Sequence, residues 1–279
     1  MTAAASAIAI GTGVTLSYCE QGAPSEPALV LLPGPTDSWR SYEPVLDHLP
    51  RSIRTVAVSQ RGHGDSDKPA TGYRVPDLAA DVPALLDALD IERAVLAGHS
   101  GSCLTARRVA IDHPDRVAGL VLEASPSALK GDRGLTDFVE TVVSTLDDPI
   151  DPAFARSFVA DTSSAHLAPA LVDLLVQELL KVPARVWREM FTELLRYDDH
   201  GDRSRISAPT LLVWGDADAL IGRRAQEELL RDMTGARLVV YRGVGHTPRW
   251  EDPRRFAADV AAFVHERRAT ESGPPGRGL

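Results

Sequence analysis

The chain has 279 residues, 44% of them hydrophobic, which is enough for a sizeable core in one large domain. Its formal net charge of −9 excludes the basic face that a nucleic-acid partner requires. Two cysteines, Cys19 and Cys103, lie on separate predicted elements and give no disulfide framework, and no apolar run reaches transmembrane length. Residues 1–10 lack a basic start and a long apolar run, so the sequence predicts no signal peptide, no membrane partner and a cytoplasmic setting.

Residues 8–10 and 14–18, separated by Gly11-Thr12-Gly13, read as an opening β-hairpin. Short apolar runs at 28–32, 55–58, 94–97, 117–122, 210–214 and 237–241 are the following candidate strands. Amphipathic stretches such as 77–89 lie between most of them, and this alternation predicts an α/β class with a mostly parallel central sheet flanked by helices. Pro83 should either kink the 77–89 helix or mark a later start. From about 125 to 208 several helical patterns follow one another without a strand, which predicts an inserted helical cap. The expected division is a discontinuous core, 1–125 and 209–279, around a cap at 126–208. Most of the cap's apolar residues (Phe138, Val142, Phe154, Phe158, Leu175, Trp187 and Phe191 among them) should pack the cap on itself. A minority should face a pocket beneath it, with Phe138, Trp187 and Phe191 as substrate-binding candidates. The Gly- and Pro-rich stretch 270–279 is expected to be a disordered tail.

The chemistry concentrates in three loops that follow strands. Gly98-His99-Ser100-Gly101-Ser102 joins the 94–97 run to a helical pattern, so Ser100 sits on a tight strand-to-helix turn. Small residues on either side let the backbone turn without a clash, and the helix start puts free N–H groups beside the hydroxyl. The plainer role for Ser100 is a helix N-cap. A serine nucleophile also needs a base, and the base needs an orienting carboxylate. Gly215-Asp216-Ala217-Asp218 supplies acids after one strand, and Gly243-Val244-Gly245-His246 supplies a histidine after the next. Both His63, in a Gly-rich turn, and His99, beside Ser100, are expected to serve other roles.

These segments, with Leu31-Leu32-Pro33-Gly34, Gln60-Arg61-Gly62-His63-Gly64-Asp65-Ser66 and Glu251-Asp252-Pro253, closely resemble the α/β-hydrolase family over roughly residues 8–265. The resemblance implies an α/β-hydrolase fold with an inserted helical cap and a Ser100–His246–Asp218 triad that needs no cofactor and no metal. Asp218 matches the family's usual place for the acid, and Asp216 is left to hold the turn. Glu123, at the end of the strand beside the nucleophile strand, is the alternative acid, because some members, fungal-toxin lactonases included, take their carboxylate from there. The oxyanion hole implied by the family uses the N–H of Gly101 and of the residue after a His-Gly pair. In this chain those positions read Pro33-Gly34-Pro35, and proline has no N–H. Either Thr36 supplies the second donor, or the enzyme is slow on ordinary esters, or the reaction is not simple acyl transfer. The implied activity is hydrolysis of a largely apolar, small-molecule ester or lactone through an acyl-enzyme. The same triad allows C–C bond hydrolysis or cofactor-free perhydrolysis, and a different class of reading is a small-molecule binding module that keeps the hydrolase shell. Oligomeric state is not legible.

Overall fold

Side chains that alternate along each strand divide the core into two layers. In β3 (Ala28–Leu32), Ala28, Val30 and Leu32 join one apolar cluster while Leu29 and Leu31 join the other. The same split recurs in β5 (Ala94–His99), where Ala94 and Leu96 face one layer and Val95 and Ala97 the other. A run apolar on both faces needs cover on both faces, and that is what a parallel sheet between helices provides.

The computed structural model describes residues 4–163 and 167–271. Its sheet adds β1 (Ala5–Ala9), β2 (Thr15–Gln21), β4 (Arg54–Val58), β6 (Val117–Glu123), β7 (Thr210–Gly215) and β8 (Ala236–Tyr241). The strand order is β1-β2-β4-β3-β5-β6-β7-β8. β1 and β2 pair antiparallel, β2 pairs antiparallel with β4, and every later pairing is parallel. The helices are α1 (Glu43–Leu46), α2 (Val75–Ala88), α3 (Ser102–Asp112), α4 (Arg133–Thr141), α5 (Pro152–Asp161), α6 (Pro169–Leu179), α7 (Ala184–Arg196), α8 (Arg223–Asp232), α9 (Pro248–Glu251) and α10 (Pro253–Glu271). Leu85, Leu86, Val109 and Leu229 bring α2, α3 and α8 onto one face of the sheet, and Val45, Phe256 and Val260 bring α1 and α10 onto the other. Chain order reverses between β3 and β5, so the loops leaving these two adjacent strands open a crevice at their carboxyl ends. No helix among the described residues is long and apolar enough to cross a membrane.

Three expectations shift. Helix α2 starts at Val75, earlier than the 77–89 pattern, with Asp77 accepting from the Arg74 N–H, and it runs through Pro83 without ending there. The helix therefore has no late start at Pro83. The expected tail at 270–279 begins too early, since α10 continues through Glu271, and the remainder lies outside the described residues. Strand β5 also extends past Ala97 to His99, because pairing with β6 carries it through Gly98 and His99.

Between β6 and β7 lie α4 to α7, with no strand among the described residues. Their apolar faces form a third cluster, which includes Leu175, Val186, Trp187, Met190, Phe191 and Leu194. Tyr73, Leu104 and Trp250 join it from the sheet-bearing part of the chain. Arg107 ties both ends of the insertion to α3, the helix that follows Ser100. Its fully buried guanidinium donates to Asp199 at 2.7 and 3.1 Å and to the carbonyls of Pro126 (2.7 Å) and Ser127 (3.2 Å). Arg107→Ala would leave the Asp199 carboxylate buried without this partner, so unfolding free energy from denaturant titration should drop by about 3–5 kcal/mol. A loss below about 1 kcal/mol would mean that water or Arg203 replaces the lost contacts.

His63 is buried, and its Nδ1–H donates to the Arg61 carbonyl at 2.9 Å, which fits a structural role. Burial pushes its pKa down to about 4. Between pH 6.5 and 4 the unfolded chain takes up a proton that folded His63 refuses. The stability tied to this residue is therefore full above about pH 6.5 and falls by about 3 kcal/mol as pH drops to 4. The stability gap between wild type and His63→Gln should narrow over that interval, whereas a constant gap would show that His63 is not held neutral.

Candidate active site

Ser100 follows β5 with φ +53°, a left-handed conformation that side chains other than glycine rarely adopt, and α3 begins two residues later. A strained, sharp turn of this kind lifts a hydroxyl out of the backbone path. Its neighbours have no room for side chains: a Cβ on Gly98 would meet the Ser102 carbonyl oxygen at 2.7 Å, and one on Gly101 would meet Pro35 Cγ at 2.8 Å. The Ser100 N–H donates to the Glu123 carbonyl at 2.9 Å, which fixes the turn against β6. Ser102, in the place of the family's last glycine, faces inward. Its hydroxyl donates to the Pro33 carbonyl (2.6 Å) and accepts from Gln60 Nε2 (2.8 Å), which stitches the start of α3 to the loop after β3.

His246 leaves the loop after β8 and is 5% exposed. Its Nε2 lies 3.0 Å from Ser100 Oγ and its Nδ1 lies 2.9 Å from Asp218 Oδ2. The assignment of donors follows from chemistry. Asp218 as a carboxylate can only accept, so Nδ1 carries the proton and Nε2 is left to accept from the serine hydroxyl. The other Asp218 oxygen accepts from the N–H groups of Leu220 (2.8 Å) and Ile221 (2.9 Å), which holds the carboxylate still. Asp216 accepts from the Gly243 N–H at 2.6 Å and so ties the two loops together, the turn-holding role its position suggests.

Glu123, the alternative acid, is not aimed at His246. One of its oxygens accepts from the Arg249 N–H at 2.8 Å and the other from Arg249 Nη1 at 3.3 Å. Arg249 is fully buried, also donates to Asp37 at 2.5 Å, and lies 4.4 Å over the Trp250 ring. Burial pushes both carboxyls up against the pull of this guanidinium, Asp37 to about 6. The cluster anchors α9, three residues beyond His246, to β6 and to the loop after β3. Asp218→Asn should therefore lower kcat far more than Glu123→Gln. Glu123→Gln should instead register mainly as lost stability, and the reverse ranking in kcat would move the acid's role to Glu123.

A cavity of about 720 Å³ opens in front of Ser100, lined by Pro35, Thr36, Gly101, His246, Trp250 and residues of α4, α5 and α7. Phe138 and Phe191 line it, as the sequence predicts. Trp187 does not. It is fully buried and packs against Phe154, Phe158 and Phe191, with ring centroids 5.1 to 5.7 Å apart, so it belongs to the core of the insertion. Trp187 and Phe191 lie four residues apart on one apolar stripe of α7, and only contact with the rest of the fold decides which of them meets the cavity. Trp250, Phe154 and Phe158 also line the cavity, although nothing in the sequence singles them out for it.

His99 lines it too. Its Nε2 donates to the His246 carbonyl at 3.0 Å, and burial holds it neutral well below the ordinary histidine range. Thr36 is 1% exposed, adopts φ +76°, and its Oγ1 has no hydrogen-bond partner. The N–H groups of Thr36 and Gly101 donate to no described residue. Among the described residues there is no group of three or more His, Cys, Asp or Glu side chains that could hold a metal ion.

The family model for the alpha/beta hydrolase fold matches residues 27–253. The 2-hydroxy-6-oxononadienedioate/2-hydroxy-6-oxononatrienedioate hydrolase of Burkholderia vietnamiensis is 31% identical over 277 residues, spanning 91% of this chain and 92% of its own. The 2-(acetamidomethylene)succinate hydrolase of Mesorhizobium japonicum is 28% identical over 265 residues, or 90% of this chain and 92% of its own. An esterase from Exiguobacterium antarcticum superposes with a TM-score of 0.84 over 94% of this chain and 100% of that one, at 19% identity, a likeness of fold alone. With sheet order, the sharp turn at Ser100 and the family match in agreement, the chain belongs to the α/β-hydrolase fold family.

Proposed function

We propose that the protein is a serine hydrolase that cleaves a neutral carboxylic ester or lactone through an acyl-enzyme on Ser100. The observation that carries this reading is the continuous hydrogen-bonded line from Ser100 Oγ through His246 to Asp218, set at the floor of an aromatic-lined cavity. His246 Nε2 takes the serine proton as Oγ attacks the substrate carbonyl, and Asp218 steadies the imidazolium that forms. The imidazolium then protonates the leaving alkoxide. Water, deprotonated by the same nitrogen, attacks the acyl carbonyl, and the carbon–Oγ bond breaks to return the free serine.

The tetrahedral intermediate needs donors aimed at its oxyanion. Gly101 N–H is one. For the second, Thr36 compensates for the proline before it. Among the described residues neither its N–H nor its hydroxyl has another partner, and its backbone is held in a conformation that costs a β-branched residue roughly 1–3 kcal/mol. Helices α4 to α7 act in this reading as a cap, excluding water and shaping the acyl or alcohol side of the pocket.

The names of the two relatives specify dicarboxylates, whereas among the described residues no Lys or Arg lines this cavity, which favours ester cleavage over the C–C bond hydrolysis of such acids. Turnover of p-nitrophenyl butyrate by the wild-type protein, with saturation kinetics, is the expected result. No release of p-nitrophenol above buffer from short esters or lactones would overturn the reading.

A further inference from the structure

The charges around the cavity carry a second inference. We propose that the chamber selects ligands whose far end is uncharged or cationic and turns away those ending in a carboxylate. This rests on the hydrolase reading only in taking those ligands as substrates. Asp132 and Asp161 both line the cavity and are both exposed, which places them at its rim. Among the described residues neither makes an ion pair: Asp132 caps α4 by accepting from the Leu135 N–H at 2.8 Å, and Asp161 accepts from Ser157 Oγ at 3.3 Å. A helix N-terminus is a natural seat for an anion, but at α4 Asp132 already fills it with its own carboxylate. Asp161 ends α5, where the helix dipole is itself negative.

Inside the rim, Thr36 Oγ1 and His99 Nδ1 are buried without hydrogen-bond partners, and beside Ser100 the N–H groups of Thr36 and Gly101 are unpartnered among the described residues. His99, donating through Nε2 and neutral, adds no positive charge to the lining, and its Nδ1 lies against Gly34. The Arg249 guanidinium, which pairs with the lining residue Asp37, is committed to Asp37 and Glu123. At the ligand's far end, away from the donors beside Ser100, a carboxylate would lose water among Phe138, Phe154 and Phe158 and meet two negative rim charges, with no compensating cation among the described lining residues. An ammonium group meets the same rim charges with the opposite sign, and aromatic faces that favour cations.

The test measures binding rather than turnover. Ser100→Ala protein is titrated with 4-phenylbutylammonium, 4-phenylbutan-1-ol and 4-phenylbutanoate, at low and high salt, by isothermal calorimetry. The expected order of affinity is ammonium, then alcohol, then carboxylate, with the two ends about tenfold or more apart at low salt. The gap should narrow at high salt and in the Asp132→Asn/Asp161→Asn double variant, since exposed charges are screened. A carboxylate that binds as tightly as the alcohol, an order unchanged in the double variant, or no binding of any of the three would each overturn the inference. Turnover of p-nitrophenyl butyrate by wild type, run in parallel, reports separately on the esterase reading, because its absence would leave the binding order fully readable.

Discussion

Ser100→Ala and His246→Ala are each expected to reduce kcat on p-nitrophenyl butyrate by about 10⁴-fold or more, and the double variant should be little worse than either single. The non-additivity is the sharper part of the expectation. Once the hydroxyl is gone the base has nothing to deprotonate, and once the base is gone the hydroxyl is a poor nucleophile. What catalysis remains comes from the oxyanion donors and from binding. Far-ultraviolet circular dichroism should be unchanged, since neither side chain fills the apolar clusters that hold the sheet. If the two losses instead multiplied, serine and histidine would be acting independently.

The loop after β3 gives the second large effect. Thr36→Val keeps the β-branched shape and the N–H while removing the hydroxyl, so it isolates Oγ1 as the donor. Loss of one oxyanion donor is expected to lower kcat by about 10²–10³-fold with a much smaller change in KM. Pro35→Ala, which restores an N–H at the family's usual place, should be neutral or harmful. In the proposed hole Thr36 is the second donor, and the Pro35 ring is the wall against which Gly101 is packed. An increase in kcat for Pro35→Ala together with an unaffected Thr36→Val would mean that the native hole lacks its second donor. In that case the unpartnered Thr36 hydroxyl would have to be explained by something other than catalysis.

What could be read from the chain, and what could not, follows from how far each determinant reaches. Buried runs such as Ala28–Leu32 are legible because a strand covered on both faces is apolar at every position. The triad candidates are legible because each sits on a short loop directly after such a run, and the fold gathers those loops at one edge of the sheet. The end of β5 is misjudged by local signals: Gly98 and His99 look like a turn, yet pairing with Leu122 and Glu123 keeps them extended. Trp187 is misjudged for the opposite reason. An amphipathic helix announces its apolar stripe, but the stripe of α7 faces both its neighbouring helices and the cavity, and the sequence does not divide one from the other. The buried Asp37–Arg249–Glu123 cluster is invisible from the sequence because Arg249 lies more than a hundred residues from both carboxylates and meets them only where α9 packs on β6 and the loop after β3. Ser102, where the family carries glycine, reads in the sequence only as a residue small enough for the turn; its hydroxyl's bond to the Pro33 carbonyl depends on the loop after β3, which local sequence does not place.

The most direct measurement of the central claim is active-site labelling with a fluorophosphonate, followed by intact-mass and peptide mass spectrometry. The phosphorus is attacked by a serine oxygen whose proton has a base to go to, and fluoride leaves. Native protein should gain a single phosphonyl adduct, on Ser100, at a rate abolished by heat denaturation, by Ser100→Ala and by His246→Ala. An adduct on another residue, labelling that survives either substitution, or a native protein that stays unmodified would contradict the assignment of Ser100 as a nucleophile activated by His246.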